Sequence, residues 1–207
     1  CMVPRRGVIK RTRLDAYSNA RKSGLIAIDL DEGDELAWVR MTDGYQRLIV
    51  ATRGGMAICF DENDARVVGR AARGVKAITL DEGDEVVGMS IRREGGLLLT
   101  VTETGYGRLS ELTDYRIQSR GGKGLTNYHT AEYGDVAGIK VVDPEDDVIL
   151  ISSEGIIIRM QACEIRLCRR PSKGVRVMRV EEGDRIVSLA RMPHEEEQPE
   201  EESTEEA

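Results

Sequence analysis

Arg73-Gly74-Val75-Lys76-Ala77-Ile78-Thr79-Leu80-Asp81-Glu82-Gly83-Asp84 runs from a base through a glycine and a short apolar stretch into an acidic turn. The stretch repeats. Its glycine has counterparts at Gly24, Gly124 and Gly174, all spaced by 50 residues. A polar, mostly basic loop leads into each one: Arg21-Lys22-Ser23, Ala71-Ala72-Arg73, Gly121-Gly122-Lys123 and Pro171-Ser172-Lys173. A strand-like run follows each glycine, over Leu25 to Leu30, Val75 to Leu80, Leu125 to Thr130 and Val175 to Val180. The closing turns are Glu32-Gly33-Asp34, Glu82-Gly83-Asp84, Tyr133-Gly134-Asp135 and Glu182-Gly183-Asp184, the third delayed by a one-residue insertion. Self-similarity at this period marks a propeller, a solenoid or an array.

Working outward, each period holds four runs of strand length. The second copy has Arg47 to Thr52, Met56 to Phe60, Val75 to Leu80 and Val86 to Ile91. The same plan recurs as Leu97 to Thr102, Tyr106 to Ser110, Leu125 to Thr130 and Val136 to Val142. It returns as Val148 to Ser152, Ile156 to Met160, Val175 to Val180 and Ile186 to Arg191. Their β-branched content, short length and Gly-containing turns favour strands over helices. The segments Leu14 to Ser23, Asp61 to Arg73, Glu111 to Lys123 and Gln161 to Lys173 lack apolar periodicity and read as crossing loops. The expected fold is therefore all-β, a propeller-like partial wheel of four blades over residues 1–193. The repeats span roughly 1–42, 43–92, 93–143 and 144–193, with an acidic, disordered tail at 194–207. Residues Cys1 to Gly7 align with Ile49 to Gly55, so the chain opens in mid-strand, as expected of a piece of a longer protein.

The net charge of −7 misleads. Of the 37 acidic side chains, 8 lie in residues 195–207, leaving 29 against 30 bases. Within each repeat the bases gather before the marker glycine and the acids after it, and where charge lies matters more than its sum. Cys1, Cys59, Cys163 and Cys168 have no metal-ligand spacing and read as free thiols in a reducing, cytoplasmic compartment. No apolar run reaches membrane-span length.

The bases recur in register. Arg70 and Arg73 precede Gly74; Arg116, Arg120 and Lys123 precede Gly124; Arg166, Arg169, Arg170 and Lys173 precede Gly174. Lys10, Arg11 and Arg13, then Arg108 and Arg159, follow the earlier turn of their copies. On a wheel of blades, equivalent positions share a radius, so these bases are expected to form a band at the outer edge that neutralises phosphates and rewards bending of a duplex. In Gln118-Ser119-Arg120-Gly121-Gly122-Lys123-Gly124, the glycines Gly121, Gly122 and Gly124 allow close backbone approach to a phosphate contacted by Arg120 and Lys123.

That heptad, preceded by Thr104-Gly105-Tyr106-Gly107-Arg108 and set in the 50-residue repeat, resembles the C-terminal domain of the A subunit of bacterial DNA gyrase. It matches that family's Gln-Arg-Arg-Gly-Gly-Arg/Lys-Gly box at all but Ser119. The resemblance implies a β-pinwheel whose basic perimeter wraps double-stranded DNA with a fixed hand, supporting ATP-driven negative supercoiling. It implies as partners the rest of the A subunit and the gyrase B subunit, in a heterotetramer at the bacterial nucleoid. ATP and Mg are used elsewhere in that complex, and no cofactor is expected in this piece. The box normally lies in the first blade, whereas this copy precedes the penultimate marker glycine, which reads as a secondary copy. No tyrosine here resembles the breakage-reunion residue, so no catalytic activity is expected. The tail resembles gyrase tails that fold back on the basic rim and compete with DNA.

Two alternatives sit beside this reading. The A subunit of topoisomerase IV, a decatenating enzyme, shares the pinwheel but tends to have eroded boxes. A protein-binding propeller of the WD40 or kelch kind calls for recurring Trp-Asp or Gly-Gly/Trp signatures, which a chain with one tryptophan lacks. A metabolic enzyme needs a clustered His, Cys or carboxylate site, and two histidines assemble none.

Overall fold

The computed structural model describes residues 1–193, and the acidic tail at 194–207 lies outside them. The first repeat contributes β1 (Met2–Pro4), β2 (Val8–Ile9) and β3 (Leu36–Val39). The second contributes β4 (Arg47–Thr52), β5 (Met56–Asp61), β6 (Val75–Lys76) and β7 (Val86–Ile91). The third has β8 (Leu97–Thr102), β9 (Tyr106–Glu111), β10 (Leu125–Thr126) and β11 (Val136–Val142), with a single helical turn, α1 (Thr130–Tyr133), made by the insertion. The fourth has β12 (Asp147–Ser152), β13 (Ile157–Gln161), β14 (Val175–Arg176) and β15 (Ile186–Met192). The chain is all-β as expected, and its antiparallel sheets form the blades of a partial wheel.

The blades are not built from one repeat each. The sheet orders are β10-β5-β4-β7 and β11-β8-β9-β14, so the third strand of a repeat completes the blade before it. Leu125 pairs with Ala57, Val175 with Gly107, and Val75 with Ile9. In the first blade, a bridge between Met2 and Lys10 joins β1 to β2 and extends the sheet to β6-β2-β1-β3. The last sheet, β13-β12-β15, has three strands. Grouping all four strands of one repeat into one sheet is therefore wrong. The strands exist, but the crossing loop carries the third one to its neighbour.

These third strands are also shorter than their sequence suggests, two residues rather than six. After two ladder positions the chain lifts off to serve another acceptor. Ala77 and Ile78 both donate to the Gly7 carbonyl, Asn127 and Tyr128 to that of Gly55, and Val177 and Met178 to that of Gly105. The backbone groups stay paired, as buried ones must, without a regular ladder. Leu25 to Leu30 forms no strand.

The core lies between successive blades rather than within them. Val3, Ile9, Leu48, Val50, Ile58 and Phe60 meet between the first two blades, and Ile49, Ala51, Ala57, Leu98 and Tyr115 between the next two. Leu99, Val101, Leu109, Val148, Leu150 and Met178 fill the third interface. Each Val, Leu, Ile, Phe or Met among them withdrawn from water contributes about 1.5–3 kcal/mol. The strands β3, β7, β11 and β15 line the axis around a cavity of about 360 Å³ that includes Trp38, Val87, Ile139 and Leu189. Beside it Arg53 bridges blades, 2.7 Å from Glu103 and 3.0 Å from Asp135.

Candidate nucleic-acid interface

With β7 and its equivalents at the axis, the swapped strands β6, β10 and β14 form the outer edges of their sheets, and the basic loops lead into them. Each loop starts from a 3-10 turn (Glu62–Asp64, Leu112–Asp114, Ala162–Glu164) and makes a parallel bridge to the preceding blade: Arg11 with Val67, Cys59 with Ile117, Leu109 with Leu167. The loops are thus laid along the rim in one repeated conformation.

The marker glycine has a packing role here. A Cβ on Gly124 would stand 2.3 Å from the Ala57 carbonyl oxygen, on Gly74 2.4 Å from that of Ile9, and on Gly174 2.2 Å from that of Gly107. Each has a positive φ. The close approach predicted for a phosphate is at Gly124 an approach to the neighbouring blade. Gly121, with φ +84°, donates its N–H to Ala77 O at 2.6 Å, while a Cβ on Gly122 would meet nothing nearer than Ile58 Cδ1, at 3.9 Å.

The bases expected on the rim divide into four groups. Lys10 and Arg108 are corrections: both are buried. They occupy the repeat position that Ile58 and Ile158 fill in the other blades, which points inward. Lys10 donates to the Ala27 and Arg70 carbonyls, and Arg108 to the Asn127 carbonyl while stacking 4.8 Å from the Tyr128 ring centroid. Burial lowers the pKa of both, foremost through desolvation. Arg11 is a third correction. Its guanidinium donates to the Glu62 and Ala65 carbonyls and pairs at 3.0 Å with the buried Glu62 carboxylate.

Arg70, Arg120 and Arg170 are half-buried staples. Arg120 Nε donates to Asp64 O at 2.8 Å and Nη1 to Lys76 O at 2.9 Å, and Arg170 makes the equivalent pair to Asp114 O and Thr126 O. Arg70 reaches Ile26 O at 3.2 Å. Exposed bases with acid partners form the third group: Arg13 with Asp15, Arg73 with Asp31, Lys123 with Asp81, and Arg159 with Asp147. The fourth group, Arg116, Arg169 and Lys173, is exposed and has no carboxylate within 4.0 Å among the described residues. Two more belong with it that the sequence reading passed over. Arg66 lies one repeat before Arg116 and two before Arg166, all three exposed and without such a partner among the described residues, and Arg176 follows Gly174. The 50-residue register itself could have found Arg66.

No helix among the described residues is long and apolar enough to cross a membrane. The chain matches the family described as DNA gyrase C-terminal domain, beta-propeller, over residues 5–43, 46–91, 96–143 and 146–191. It is 55% identical over 202 residues to the DNA gyrase A subunit of Halalkalibacterium halodurans, covering 97% of this chain and 24% of that protein. The DNA gyrase A subunit of Clostridium acetobutylicum is 43% identical over 192 residues, with 92% and 23% covered. The chain thus spans about a quarter of the length of these curated relatives. Among solved structures, the C-terminal domain of a DNA topoisomerase IV superposes with a TM-score of 0.87 at 29% identity, covering 92% of this chain and 60% of that one. A DNA gyrase A C-terminal domain gives 0.83 at 25% identity, with 93% and 64% covered. With four matched segments falling on its four successive repeats, this chain belongs to the DNA gyrase C-terminal domain, beta-propeller family.

Proposed function

We propose that this chain binds double-stranded DNA through its backbone, without regard to sequence, and bends it around the outer edges of the blades. The observation that carries this is Arg66, Arg116 and Arg166, three exposed arginines in repeat register on the rim and free of carboxylate partners among the described residues. A row of cations on a curved support neutralises phosphates one after another and offsets part of the elastic cost of bending. Arg169 and Lys173 extend the row, and Arg73, Lys123 and Arg159 join it by exchanging an acid for a phosphate. Arg120, Gly121, Gly122, Lys123 and Gly124 present the box at the third crossing loop.

In this reading the chain is the wrapping part of a DNA gyrase A subunit. It acts with the remainder of that polypeptide and with the gyrase B subunit in a heterotetramer that uses ATP and Mg to introduce negative supercoils at the cytoplasmic nucleoid. No cofactor and no catalytic residue is assigned to this piece. The superposition on a topoisomerase IV domain favours decatenation as a second reading. The nearly intact box Gln118–Gly124 and the gyrase relatives support the first.

The test is to bind the chain to a nicked plasmid across a salt series, seal the nick and resolve topoisomers. Wrapping shifts the linking number with one hand and fades as salt rises. Tight binding with no shift would leave only a binding module, and no binding at low salt would overturn the reading.

A further inference from the structure

The cation just before Gly74, Gly124 and Gly174 meets the turn that closes the preceding repeat, and this contact changes character along the wheel. Arg73 Nη2 lies 2.7 Å from Asp31 Oδ1, and Lys123 Nζ lies 2.6 Å from Asp81 Oδ1. At the next junction the insertion replaces the acid. The segment becomes α1, with Ala131 following Thr130 where Asp81 follows Leu80, and it delivers Tyr133 instead. Lys173 Nζ consequently sits 4.1 Å from the Tyr106 ring centroid and 5.3 Å from that of Tyr133. Arg176 adds a second cation, 4.9 Å from the Tyr106 centroid, its Nη2 donating to the phenol oxygen at 2.7 Å. The rings are themselves braced: Tyr133 packs edge-on to Tyr128 at 6.1 Å, and the Tyr128 hydroxyl donates to the Lys173 carbonyl.

An ion pair and a ring face hold a cation in different ways. A carboxylate cancels its charge, so an incoming phosphate must first displace the acid. An aromatic face orients the cation through its quadrupole and leaves the charge whole. We propose that Lys173 and Arg176, positioned by Tyr106 and Tyr133, form the anchoring phosphate site of this rim, the first point at which duplex DNA is gripped. The sites at Arg73 and Lys123 are held in reserve by Asp31 and Asp81. This rests on the reading of the rim as a DNA-binding surface and ranks the contacts along it. The grading comes from one inserted residue, so it belongs to this junction and not to the repeat as such.

Single variants Lys173→Ala, Lys123→Ala, Arg73→Ala and Asp81→Asn are compared with the parent chain for binding to one long duplex by fluorescence anisotropy, each at several salt concentrations. Thermal melting checks that all are folded, which is expected because every substituted side chain is exposed. Lys173→Ala is expected to weaken binding about tenfold and to reduce the salt slope by about one, whereas Lys123→Ala and Arg73→Ala each cost less than about threefold. Asp81→Asn is expected to tighten binding by freeing Lys123. Equal losses at all three cations, or weaker binding by Asp81→Asn, would overturn the ranking while leaving the rim as a DNA site. A parent chain that binds no duplex would remove the underlying reading as well.

Discussion

Two arginines show how little residue type alone says about role. Arg108 and Arg116 both lie on the third repeat, eight positions apart, and sequence register assigns both to one basic band. Arg116 is exposed and pairs with no carboxylate among the described residues. Arg108 is sealed at a position where two other blades carry isoleucine, with Nε and Nη1 lacking any partner there. Its long side chain fills the space and its Nη2 satisfies the Asn127 carbonyl. Arg108→Ala should therefore cost about 3 kcal/mol of stability, from a cavity plus an orphaned buried acceptor. Arg116→Ala should stay within about 0.5 kcal/mol of the parent, as exposed substitutions usually do. It should instead weaken DNA binding for all sequences alike. Urea unfolding and DNA titration of the two variants make the comparison, and a stability loss at Arg116 would place that residue in the fold rather than on the rim.

The element that organises the wheel is the swapped strand, and its docking point is the marker glycine. Gly24 and Gly124 offer a matched pair, with φ values of +78° and +81°. The second is pressed against the Ala57 carbonyl, while a Cβ on Gly24 would meet nothing within 4 Å. Gly24→Ala should lose only the left-handed backbone penalty, about 1 kcal/mol. Gly124→Ala adds a clash with backbone that cannot yield without moving β10 off β5, so its loss should be at least about twice as large. Similar midpoints for the two in urea would mean that the seam between the repeats, where β10 joins β5, is softer than its geometry. The period, the turns and most of the strands were legible from sequence, because alternation and glycine placement are local. The exceptions are Leu25 to Leu30, which forms no strand, and the third strands, which stop after two residues. The exchange of the third strand was not legible. A short run such as Val75-Lys76 satisfies a ladder equally well beside its own repeat or the preceding one, and the deciding contacts, such as Gly7 O with Ala77 N–H, lie 70 residues apart. The same limit applied to the bases. Register brought Arg70, Arg120 and Arg170 together correctly, but only packing shows that their guanidinium groups hold carbonyls of the previous repeat.

At the scale of the whole molecule, the wheel separates two kinds of charge that the net value of −7 conceals. Near the axis, Arg5 and Arg53 are laced to Glu35, Glu85, Glu103 and Asp135, where they tie blade to blade. At the outer edges an exposed arginine in register in each of the last three crossing loops, Arg66, Arg116 and Arg166, stands without a carboxylate partner among the described residues. Because they share a register, their spacing follows the blades, and a bent duplex can meet them in turn. If each neutralises one phosphate, removing all three should lower the salt dependence of binding, log K against log salt, by about 2.7, since each contact in B-form DNA contributes about 0.9. The triple variant Arg66→Ala, Arg116→Ala, Arg166→Ala should keep its folding transition, as no described hydrogen bond or ion pair depends on these side chains. It should also lose the linking-number shift before it loses binding, because wrapping needs successive contacts whereas simple association needs only a few. A triple variant that still shifts the linking number, with its salt slope unchanged, would move the DNA path off the crossing loops and onto another face of the wheel.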